Sequence, residues 1–201
     1  MAIRPTGSFR RYLLAGFRPS AKDESLYERM QDHRFRSIDD QPVAAPSVGW
    51  VRSGSFSSTD FRPETVSFGK TLLLRMRVDR KRLPANAVRV RLQQALSDLG
   101  GKAAKSARDA LRGEIEKELL ARTVPTTTVF EVYWRPEEES LLFSSTAAAA
   151  HDQFTTLFRE TFNVTPLAAT PTPLGEHAAA PTVNRERLMR LQELDIAGGA
   201  L

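Results

Sequence analysis

The chain of 201 residues has no cysteine, so disulfides and thiolate chemistry are excluded, and a zinc site would need histidine and carboxylates alone. Histidine is scarce as well. His33, His151 and His177 lie far apart with no carboxylate at ligand spacing, and they read as lone surface side chains. No apolar run approaches the ~20 residues of a membrane span. Met1-Ala2-Ile3-Arg4-Pro5 has no apolar signal segment behind it, so the expected location is the cytoplasm, with no membrane partner. Gly-x-Ser-x-Gly is absent, and Ser53-Gly54-Ser55 lacks its frame. Phe68-Gly69-Lys70-Thr71 mimics the end of a phosphate loop, but Glu64 stands where the first glycine belongs, and a strand follows instead of a helix.

What is present is an ordinary globular composition, 41% hydrophobic and 26% charged, at a length that supports one good core. The net charge of +5 hides a segregation. Residues 1–122 carry 24 Lys and Arg against 14 Asp and Glu; residues 123–201 carry 5 against 10. Separation of the two signs along a chain points to a polyanion-binding face.

The pattern predicts an α+β fold of mixed or antiparallel sheets packed with helices. Ser8 to Phe17 reads as a first strand. Ser20 caps a helix from Ala21 to about His33, with Leu26, Tyr27 and Met30 inward. A strand around residues 48–51 precedes a Gly/Ser-rich loop, Ser53 to Ser58. The organising stretch runs from Phe68 to Trp134. Leu72, Leu74, Met76 and Val78 alternate with Leu73, Arg75, Arg77 and Asp79, placing the first set inside and both arginines on the polar side. Pro84 starts a helical hairpin. Its first helix carries Val88, Leu92, Ala95, Leu96 and Leu99 and stops at Gly100-Gly101. The second carries Ala107, Leu111, Ile115 and Leu119 on one stripe, and Lys105, Arg108 and Arg112 above one another on the exposed side.

A strand from Thr127 to Trp134 closes this unit. Arg135 to Glu139 forms a solvated acidic turn before a strand from Ser140 to Ser145. Thr146 caps a helix with Ala150, Phe154, Leu157, Phe158 and Phe162 inward. The expected organisation is a DNA-binding α+β domain over residues 1–167, a Pro/Ala/Thr-rich linker over 168–183, and a short helix with tail over 184–201.

The order of these elements, with Gly49-Trp50-Val51, the strand ending in Leu83-Pro84, Leu119-Leu120-Ala121-Arg122, the strand ending at Trp134 and Val164-Thr165-Pro166-Leu167, resembles the RdgC family. The resemblance covers roughly Ser8 to Leu167. It implies a nucleoid-associated homodimer that encircles duplex DNA without sequence preference and restrains the recombination machinery. Two departures stand out. Where the family has Leu-Leu-Pro-Arg and then an aromatic, this chain has Ala121 and then Val124, so only Arg122 carries over. The chain also stops soon after Leu167, which gives the expectation of an open dimer with contacts from side chains such as Phe9, Trp50 and Trp134.

The leading expectation is sequence-independent binding of double-stranded DNA, without catalysis, metal or cofactor. Arg75, Arg77, Lys81, Arg82, Arg89, Lys102, Lys105, Arg108, Arg112 and Arg122 would meet the phosphates. One alternative is a Mg²⁺-dependent nuclease using Asp60, Asp79 and Lys81. Another is a protein-interaction module, for example a phage- or plasmid-borne modulator acting on recombination proteins.

Overall fold

A computed structural model describes residues 7–100 and 104–169. In chain order they form β1 (Arg10–Leu13), α1 (Glu24–Asp32), β2 (Ser47–Arg52), α2 (Pro63–Val66), β3 (Ser67–Phe68), β4 (Thr71–Arg80), α3 (Ala85–Asp98), α4 (Lys105–Arg122), β5 (Thr126–Arg135), a 3₁₀ turn (Pro136–Glu138), β6 (Ser140–Phe143), α5 (Ala148–Phe162) and β7 (Leu167–Ala168). The strands make one open sheet in the order β2-β4-β5-β6-β1-β7, with β3 paired to β4. Its pairs β1–β6, β1–β7, β3–β4 and β5–β6 are all antiparallel. The fold is α+β, as the pattern predicts. The expected short C-terminal helix and most of the expected linker lie outside the described residues.

The described residues group into two compact units. One contains residues 35–49 and 77–129, and the other contains the remainder. The larger unit has an aromatic core. Trp50, Trp134, Phe143, Phe154 and Phe158 are all 0% exposed, and Phe143 stacks on Phe154 with centroids 4.4 Å apart. The apolar stripe of α5 supplies three of the rings, Phe154, Phe158 and Phe162, because positions i, i+4 and i+8 share a face. The Trp50 indole N–H donates to Thr161 Oγ1 at 2.8 Å, so even this ring's polar atom is satisfied. Trp50 and Trp134 are therefore interior side chains and not candidates for a dimer contact, while Phe9 is half-buried edge-on to Tyr133.

Several boundaries differ from the expected ones, each for a local reason. β1 ends at Leu13 because Phe17 N–H closes a turn onto Leu14 C=O, with Gly16 at φ +75°. α1 starts three residues late because Asp23 is the cap: its carboxylate accepts from Ser25 N–H, while Ser20 Oγ only closes the turn onto Lys22. The N-cap of α5 is Ala147, not Thr146; Ser145 Oγ takes the Ala147 N–H. Glu139 is not a solvated turn residue: it sits at φ +47° with its carboxylate buried against Arg18 Nε at 2.5 Å. β7 straddles the expected boundary between domain and linker, at Leu167–Ala168, and adds a strand beside β1.

His151 also departs from expectation. It is 4% exposed on α5, bonded through Nδ1 to the Tyr12 hydroxyl and flanked by Phe143. Burial, and secondarily Arg10, depresses its pKa, against the opposing pull of the Ser145 backbone and Asp152. The folded state thus favours neutral imidazole. Stability should be full above the unfolded value of ~6.5 and fall as pH drops below it, since the unfolded chain then binds the extra proton. Melting temperatures between pH 7.5 and 5 check this. The decline should flatten in His151→Phe, and an equal decline in that variant would remove His151 as its cause.

Candidate nucleic-acid interface

The expected basic face lies largely in the smaller unit, where Pro84 caps α3 and the helical pair α3–α4 projects its cations. Burial along this hairpin is sparse. In α3 only Val88 is buried; Leu92, Ala95 and Leu96 are half-buried, and Leu99 is 65% exposed. In α4 the buried positions are Ile115 and Leu120, with Leu111 and Leu119 half-buried and Ala107 exposed. The stripe read from the sequence therefore anchors α4 only through its second half. Two helices packed mainly on each other bury just their line of contact. Leu111→Ala is accordingly expected to cost less than the 2–5 kcal/mol of a fully buried leucine.

Residues 104–110 at the start of α4 are exposed and carry Lys105 and Arg108; Arg112, just beyond the half-buried Leu111, is exposed as well. Arg112 shares its guanidinium with Glu116 at 2.8 Å, and Arg122 meets Glu118 at 3.1 Å, both as i, i+4 surface pairs. Such pairs contribute about 0–1 kcal/mol and are screened by salt, so a phosphate can compete for them. Arg82 and Arg89 are exposed; so is Arg91, which the sequence reading passed over although it follows Arg89 on the same helix. Among the described residues none of Arg82, Arg89, Arg91, Lys105 or Arg108 has a carboxylate within ion-pair distance. Lys102 lies outside the described residues.

Three of the ten expected contacts are committed inside the protein. In the larger unit, Arg75 binds Glu131 at 2.5 Å and donates to Ser55 C=O. In the smaller unit, Arg77 grips Asp79 through two hydrogen bonds of 2.8 and 2.6 Å and lies 4.1 Å over the Phe35 ring. The bond to Asp79 raises the Arg77 pKa further above its already high value. Lys81 is 3% exposed, with its ammonium on the carbonyls of Asp39, Gln41 and Leu120.

The same commitments bear on the nuclease reading. Asp79 is 0% exposed and held by Arg77, all three Lys81 protons have carbonyl partners, and Asp60 is bound by Arg62 at 2.6 and 2.8 Å. Among the described residues no group of three or more His, Cys, Asp or Glu could hold a metal ion, and no helix is long and apolar enough to cross a membrane.

Comparison with known proteins gives two findings. The RdgC family model, described as "Putative exonuclease, RdgC", matches residues 12–179. The "Recombination-associated protein RdgC" of Psychromonas ingrahamii is 23% identical over 155 residues, covering 75% of this chain and 50% of that protein. The chain thus spans about half the length of the curated relative it matches. With the family model extending over most of its length and over both compact units, the chain belongs to the RdgC family.

Proposed function

We propose that this protein binds double-stranded DNA of arbitrary sequence and modulates recombination without cutting the DNA. The observation that carries the reading is the α3–α4 hairpin, on which Arg89, Arg91, Lys105 and Arg108 stand, with Arg82 just before it, without a carboxylate partner among the described residues. Cations on a packed scaffold can neutralise phosphates, and the sequence carries no zinc-finger pattern to read bases. The recombination role is that of the recombination-associated relative in Psychromonas ingrahamii. A second copy of the chain is the expected protein partner, located with the DNA in the nucleoid. Mass measurement in solution tests that assembly.

The test of the DNA face is the combined substitution of Lys105, Arg108 and Arg112 by alanine. The salt slope of duplex binding should become shallower by about two units for Lys105 and Arg108, and by about three where Arg112 exchanges Glu116 for a phosphate. Stability should be unaltered within about 0.5 kcal/mol per site, since all three side chains are exposed. Parent-like binding by this variant would show that the DNA lies elsewhere. Incubation of duplex with Mg²⁺, with and without EDTA, distinguishes binding from cleavage: metal-dependent shortening of the DNA would favour the nuclease.

A further inference from the structure

Lys81 has an unusual environment for a lysine in a basic stretch. Its ammonium donates to Asp39 C=O at 2.6 Å, Gln41 C=O at 2.9 Å and Leu120 C=O at 2.9 Å, which uses all three of its protons. The acceptors come from the connection between α1 and β2 and from the last turn of α4. Both segments and Lys81 itself belong to the smaller unit. The last carbonyls of a helix lack i+4 partners and sit at the negative end of its dipole, so a buried cation is favourable there; Leu120 C=O has the capping Thr123 N–H at 3.2 Å as well as Lys81. Beside it, Thr123 Oγ1 donates to Leu119 C=O at 2.7 Å. The end of α4 is thus tied by two side-chain donors, while residues 104–110 at its start are exposed without exception.

We propose that Lys81 is the positioning residue of the DNA face. By holding Leu120 C=O it fixes the direction in which α4 leaves its anchor, and with it the placement of Lys105, Arg108 and Arg112 against successive phosphates. This rests on the DNA reading and deepens it. The leverage is geometric: α4 rises roughly 22 Å from Leu120 to Lys105, so a tilt of about 10° at the anchor moves Lys105 by about 4 Å. That displacement is larger than the whole range over which a hydrogen bond holds. Lys81 acts at a distance from the DNA, because no donor is left for a phosphate.

The experiment uses the full chain, with Lys81→Met as the main variant and Thr123→Val as a milder release of the same helix end. Labelled duplex is titrated at several salt concentrations, and amide hydrogen exchange is followed at residues 39–41 and 117–123. For Lys81→Met, faster exchange at both segments and a duplex affinity at least tenfold weaker are expected. The salt slope should become shallower by clearly more than the ~0.9 that one lost phosphate contact produces. Thr123→Val should move affinity and slope in the same direction, by less. A slope change of only ~0.9 in Lys81→Met would mean that Lys81 touches DNA directly, and unchanged affinity would mean that it positions nothing. If Lys81→Met loses its helicity, Thr123→Val decides, and parent-like affinity and slope there overturn the proposal. Absence of duplex binding by the parent chain would instead overturn the DNA reading, and the positioning role with it.

Discussion

Asp79→Ala is expected to destabilise the smaller unit by about 3–5 kcal/mol, because it leaves a buried guanidinium without its counter-charge. Asp79 is 0% exposed and the Arg77 side chain 14%, so water and salt replace the lost carboxylate only in part. The apolar side chains of this unit are thinly covered by comparison: Phe35, Ile38, Val78, Val88, Ile115 and Leu120 all retain 6–9% exposure, against 0% for most rings of the larger core. The unit therefore leans on its ionic contacts more than its neighbour does. Denaturant unfolding followed by helical circular dichroism should show the loss. Both tryptophans belong to the larger unit and report separately on it.

Two controls give the prediction its meaning. Replacing Arg77 and Asp79 together, as Arg77→Met with Asp79→Leu, should recover most of the stability, since a buried ion pair is worth little more than apolar residues of similar volume. Glu116→Ala, which breaks the 61%/38% exposed pair with Arg112, should cost no more than about 0.5 kcal/mol. A cost below about 1 kcal/mol for Asp79→Ala would show that the smaller unit does not depend on this pair.

The β4 strand shows how far the sequence could be read. Leu72, Leu74, Met76 and Val78 are 0–7% exposed, because a two-residue period leaves no choice of face once one face is buried. The same period misplaces Lys81. Alternation assigns Arg75, Arg77, Asp79 and Lys81 to the polar side, but it cannot show that residues 35–41 fold over part of that side. Asp39-Asp40-Gln41-Pro42 looks in sequence like a plain connection, and its carbonyls have no signature. His151 was more legible than its reading allowed. It lies three residues before Phe154 and seven before Phe158, on the stripe that buries both, so helical spacing already placed it inside. The Ser20 and Asp23 caps are chemically equivalent candidates three residues apart, and only the turn before α1 selects between them. The two-residue strands β3 and β7 are too short to carry any period. In the candidate site, Pro84 and the helical spacing after it marked the hairpin, whereas the pairings that remove Arg75, Arg77 and Lys81 depend on partners 2 to 56 residues away.

The second large effect concerns DNA itself. Five exposed cations on the hairpin or just before it, Arg82, Arg89, Arg91, Lys105 and Arg108, have no carboxylate partner among the described residues and can each release a counterion from a phosphate on binding. Five contacts give a log–log slope of roughly −4.5, so a fivefold rise in salt should weaken binding by about a thousandfold. Arg112 and Arg122 would steepen the slope if their surface pairs with Glu116 and Glu118 yield to phosphate. The dependence on sequence should be slight, because phosphate contacts fix register and carry no base information. Titration of labelled duplexes of unrelated sequence at several salt concentrations measures both quantities together. The account predicts a slope of about −4.5 or steeper that is common to all duplexes; a flat salt response, or strong preference for one sequence, would contradict it.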